Sequence, residues 1–189
     1  MQRNNEQIQF YSALGFYKEG KKVAEKINKK TGNESFEFIS VATVSYSFST
    51  ELLLKLLVHL ISEKKIKNEH RLEKLYNKLP LEYQSKIKKK YELKKQIKNE
   101  NLKPIKLCFN AHIGNKENSK DENNITQLSI TELLEIHSES FIKWRYLYEI
   151  KKDEYYYYEF NFKLMDDLIN SIIEIINEEI NKKTTANTV

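Results

Sequence analysis

Cysteine occurs once, at Cys108, so no disulfide can close within the chain. A reducing compartment is the simpler expectation. Four glycines and two prolines in 189 residues are too few for a fold made of many tight turns. That scarcity favours long helices with few connections. Arginine is also rare, at Arg3, Arg71 and Arg145 only. The start, MQRNNEQIQF, has no apolar core and no small-residue cleavage site, so no signal peptide is read there. The richest apolar run, 52–61, is interrupted by Lys55 and His59 and is too short to span a bilayer. Cytoplasmic location without membrane attachment is the expectation. Phosphate-cradling loops of the GxGxxG or GxxxxGK[ST] type are missing, as is a GxSxG elbow. His59, His70, His112 and His137 show neither HExxH nor zinc spacing, so no metal and no cofactor is expected.

What is present is helical periodicity. The expected fold is all-α, an antiparallel four- to five-helix bundle in a single domain over 1–183, with a disordered tail over 184–189. A first helix spans about 5–29, weakened by Gly15 and Gly20, and 31–33 reads as a turn. A second, over 35–63, is apolar on nearly all sides, as for an element packed on several flanks. Its β-branched portion near 39–44 suits a strand by local propensity, but continuity with the leucines favours helix. A short helix over 69–79 ends at Pro80, and a lysine-rich helix follows over 81–98. Periodicity fails from 99 to 127, where 114–124 has the composition of a flexible loop. Ser129 and Glu132 fit a capping box for a helix continuing to 149. Residues 151–158 form a junction before the last helix, about 159–182.

Charge is uneven. Residues 83–106 carry nine lysines against Glu92 and Glu100, while the chain nets +5, so the rest is slightly negative. Lys86, Lys88, Lys89, Lys90, Lys94 and Lys95 are candidates for a nucleic-acid-binding stripe. A solvated helix in a lysine-biased chain is the alternative.

Two constellations suit chemistry. Ser47, Glu51, Lys55 and His59 follow at four-residue steps, so neighbours share a helix face. They form either a simple Glu51–Lys55 pair at a wet seam or part of a cleft whose charges tune proton transfer. Arg145 and Glu149 are also four apart, beside Trp144, Tyr146 and Tyr148. A carboxylate-held arginine presents a planar fork to phosphate, or else locks a helix crossing. The tyrosines at 155–158 are either an interface patch or internal packing.

Three segments in this order carry a resemblance: Ser49-Thr50-Glu51 with Lys55; His70-Arg71-Leu72 with Leu75; and Phe141 with Trp144-Arg145-Tyr146 and Glu149. Together they resemble bacterial HEPN-like helical-bundle proteins over about 35–180. The resemblance implies a bundle, often dimeric, tied to RNA metabolism, toxin–antitoxin modules or antiphage defence. Its catalytic members are metal-independent endoribonucleases using Arg, four to six residues, then His. That pair is missing here: Ile150, Lys151 and Lys152 stand at those positions after Arg145. If the chain nevertheless cleaves RNA, Glu51 or His70 is expected to move protons and Lys55 to steady developing negative charge. Arg145, held by Glu149, meets the scissile phosphate. RNA, a second copy and a protein from the same operon are the expected partners. A non-catalytic dimeric module is the alternative.

Overall fold

The computed structural model describes residues 5–27, 35–110 and 127–186. Expectations for the 31–33 turn, the 114–124 loop and the tail over 187–189 lie outside those residues, whereas 184–186, expected as tail, are the end of the last helix. The chain is mostly helical, with seven α-helices and one two-stranded sheet among the described residues. In order these are α1 (Asn5–Ile27), α2 (Phe36–Ser62), α3 (Leu72–Tyr76), α4 (Leu81–Lys95), β1 (Pro104–Phe109), α5 (Ile130–Ile136), α6 (Ser140–Lys143), β2 (Tyr156–Asn161) and α7 (Phe162–Ala186). A single 3-10 turn, Trp144–Tyr146, continues α6.

The stretch 36–48, with its β-branched residues, is helix throughout. Leu53, Leu54, Leu56 and Leu57 are all fully buried, which makes α2 the central rod. By length and composition α2 is long and apolar enough to cross a membrane, which the run 52–61 alone is not. In its most apolar 18-residue window, 67% is buried inside the protein.

The first two helices run antiparallel. Gln9 Nε2 donates to the Leu52 carbonyl at 2.9 Å, and Ser49 Oγ donates to the Ala13 carbonyl at 2.8 Å. Gly20 explains how close they come: a Cβ there would sit 2.8 Å from Ser45 Cβ and 3.2 Å from the Tyr46 ring. Gly15 has nothing within 4 Å. The two glycines should therefore respond oppositely to alanine. Gly15→Ala should stabilise by about 1 kcal/mol through helix propensity, whereas Gly20→Ala should destabilise by about 1–3 kcal/mol through overpacking. Urea denaturation of both variants checks this, and equal effects would contradict it.

Buried polar groups join α1, α2 and α7. Asp166 accepts from the Tyr17 hydroxyl at 2.6 Å and the Tyr46 hydroxyl at 3.3 Å, and pairs with Lys21 at 3.0 Å. Burial, and then the Asp166 charge, pushes both phenols up, so both remain donors.

The sheet corrects the all-α expectation. β1 and β2 are antiparallel, with Ile105 opposite Phe160, Leu107 opposite Tyr158 and Phe109 opposite Tyr156. Those pairs share one face, because side chains alternate along a strand. Trp144 packs on it, 5.5 Å from the Tyr158 ring and 6.4 Å from Phe160. The 155–158 tyrosines thus belong largely to β2, and the last helix begins at Phe162 rather than 159.

The helix expected over 129–149 is also corrected. Its start holds, with Ser129 and Glu132 in a reciprocal capping box. It stops at Ile136, with His137 as its C-cap. His137 is fully buried, stacked on Phe160 at 4.5 Å, and its Nε2 accepts the Asn161 backbone N–H at 3.1 Å. That side chain satisfies a strand-end N–H that would otherwise be buried unpaired.

Candidate functional site

Glu51 sits on α2 and is 3% exposed. One of its oxygens, Oε1, accepts from Lys55 Nζ at 2.8 Å, the four-residue pair its spacing predicts. The same oxygen lies 3.0 Å from Nδ1 of His70, nineteen residues onward. Its other oxygen, Oε2, is buried without a partner among the described residues, as is Ser47 Oγ one turn earlier. A buried carboxylate with one oxygen shared by two donors and the other unsatisfied is a costly arrangement.

The chain works to hold His70 there. Glu63 caps α2 in the left-handed conformation, and Asn68 takes φ 57° before the chain reaches His70. Asparagine tolerates that backbone better than most residues. Glu69 Oε1 then accepts the backbone N–H groups of both His70 and Arg71 at 3.1 Å. Those backbone bonds, led by Arg71, hold its carboxyl below the usual range. Leu72 and Leu75, both buried, anchor α3 immediately afterwards. Sequence reasoning passed over Glu69; its signal was an acidic residue at a helix start.

The imidazole of His70 is the accessible member, with 56% of its side chain exposed against 16% for Lys55. Nδ1 of His70 faces the carboxylate, and Nε2 is left without a partner among the described residues, the arrangement of an oriented general base. His59, the last member of the four-step line, turns instead to Glu6 on α1 at 3.3 Å.

Arg145 stands elsewhere. Its guanidinium lies over the Phe141 ring at 5.0 Å and the Tyr146 ring at 5.3 Å. With Phe36 and Ser40 it lines a depression at the start of α2. Glu51 is eleven residues beyond Ser40, roughly 16 Å along the helix axis. The expected Arg145–Glu149 pair does not form. Both residues are exposed, and the helix that would have stacked them ends in the 3-10 turn at Tyr146. Of the five residues expected at one site, Glu51, Lys55 and His70 meet, while Arg145 and Glu149 do not join them.

The lysine stripe divides. Lys90 bridges Glu174 and Glu178 of α7 at 2.9 and 3.0 Å, and Lys94 reaches Glu174 at 2.5 Å. These bonds stitch α4 to α7. Lys86 pairs with Glu82, and Lys95 with Glu92 at 2.7 Å. Lys88 and Lys89 are exposed and meet no carboxylate among the described residues. Near the end of α4 a cleft of about 690 Å³ adds Lys98, Lys103 and Lys163 to Lys95. Lys163 is held by Asp167 at 2.5 Å.

Comparison with protein families, with curated proteins and with solved structures finds no match for the chain.

Proposed function

We propose that this chain is a HEPN-like cytoplasmic protein of bacterial defence or toxin–antitoxin type that cleaves RNA without a metal. The meeting of Glu51, Lys55 and His70 carries this reading. Glu51 orients the imidazole, and His70 Nε2 takes the proton from a ribose 2′-hydroxyl. The 2′-oxygen then attacks the adjacent phosphorus, and the bond from phosphorus to the 5′-oxygen breaks. That oxygen takes a proton from water, leaving a 2′,3′-cyclic phosphate and a 5′-hydroxyl. Lys55 steadies the negative charge on the phosphoryl oxygens. Lys88, Lys89, Lys98 and Lys103 attract the RNA backbone, which makes binding weaken as salt rises.

The test is incubation of purified protein with total RNA in EDTA, followed by end-group analysis. Fragments carrying cyclic phosphate are expected. Intact RNA at low salt, across a range of protein concentrations, would refute cleavage.

A second reading is a non-catalytic dimeric module that docks a partner from its own operon. The observation favouring it is a face of α1 where Ile8 and Tyr11 are 52% and 59% exposed. Light scattering decides whether a second copy covers that face. A strict monomer removes the homodimer from both readings.

A further inference from the structure

Arg145 is a guanidinium with no carboxylate partner among the described residues. It is nevertheless held: rings lie against it at 5.0 and 5.3 Å, and its Nη2 donates to the Tyr146 hydroxyl at 3.1 Å. A fork already fixed by aromatic faces loses little further freedom when it takes an oxyanion. Beside it lies a depression of about 270 Å³, walled by Phe36, Ser40, Phe109, Leu147 and Tyr148. Tyr148 is 77% exposed and Phe36 42%. Scattered apolar side chains on a surface are ordinary. Exposed rings gathered round one uncompensated cation are a stacking platform with an anion contact at its edge.

We propose that this depression is a nucleotide subsite, where a base of single-stranded RNA stacks on the Tyr148 and Phe36 rings while its phosphate takes the Arg145 fork. The inference rests on the RNA reading for the polymer that supplies the base. The space suits one planar ring, being smaller than the 300 Å³ or so at which drug-sized pockets begin. Set some 16 Å along α2 from Glu51, the subsite grips a nucleotide other than the one being cut. Arg145 is therefore a binding residue that acts on affinity and not on the chemical step.

The experiment measures fluorescence anisotropy at low salt with two labelled probes of equal length, an oligoadenosine RNA and its abasic ribose-phosphate counterpart. Arg145→Ala should weaken both about tenfold, and Arg145→Lys should recover only part of that loss. Tyr148→Ala should weaken oligoadenosine about tenfold and leave the abasic probe unchanged, since only the base stacks. In cleavage assays Arg145→Ala should raise KM and leave kcat near wild type. Wild-type affinity in both Arg145→Ala and Tyr148→Ala overturns the subsite while leaving cleavage at Glu51 and His70 standing. So does a change in oligomer mass with RNA affinity unaltered, which makes the depression a protein contact. Affinity that depends on both side chains, in a protein that cuts nothing, keeps the subsite and overturns the cleavage reading alone. A wild-type protein that binds neither probe overturns both.

Discussion

His70→Ala should lower RNA cleavage by about 10²–10⁴-fold, the range expected when a positioned proton acceptor is removed. The fold should tolerate the change, because most of the His70 side chain faces solvent and the backbone is held independently by Glu69 and Leu72. Glu51→Gln tests the same unit from the other side. It keeps the shape but replaces the carboxylate that the imidazole faces, so cleavage should fall although His70 is intact. Because the two act together, the double variant should be scarcely worse than His70→Ala alone. Single-turnover rates on a defined oligonucleotide, with circular dichroism as the check on folding, give the comparison. Undiminished cleavage by His70→Ala would remove the proton acceptor from the proposed mechanism. A double variant showing the product of the two single losses would mean that Glu51 and His70 act separately.

Acidification should unfold the protein through a different histidine. Burial pushes His137 down to about 3 from the ordinary 6.5, with a backbone contact to Ile136 opposing only in part. In the unfolded chain the same imidazole takes its proton near pH 6.5. Between those values the unfolded state binds a proton that the folded state refuses, so stability falls as pH drops through this window. At pH 4 this one group should make the fold roughly 3 kcal/mol less stable than at pH 7. His137→Gln should flatten the profile, because a glutamine side-chain oxygen can accept the Asn161 N–H and cannot be protonated in this range. Urea denaturation at pH 7, 5.5 and 4 measures the slope. If wild type and His137→Gln lose stability in parallel, the buried imidazole is not the acid-sensitive group.

His137 also shows why part of the architecture was hidden in the sequence. Its inward turn answers an N–H of Asn161, twenty-four residues away, and nothing in the local pattern of 129–149 announces that demand. The extrapolated helix then placed Arg145 and Glu149 on a common face that does not exist. The sheet was concealed differently. Ile105, Leu107 and Phe109 do alternate with Lys106 and Cys108, a legible strand pattern. Its partner is a tyrosine run without alternation, roughly fifty residues on, so neither strand identifies the other. What read correctly was local. The leucines made α2, Ser129 and Glu132 made a cap, and four-residue spacing paired Glu51 with Lys55. The arrival of His70 at that pair rests on the left-handed turn at Asn68 and the Glu69 backbone clamp, neither of which is periodic.

β2 passes into α7 at Asn161 and Phe162 with no connecting loop. Strand register therefore dictates how α7 is rotated about its own axis. An additional residue at that joint would swing everything downstream through about 100°, carrying Asp166 away from Tyr17 and Tyr46 and Glu174 away from Lys94. Length variation among relatives of this protein should accordingly be barred from 160–163, and the same joint would be a poor place to open the chain for circular permutation or to graft a tag.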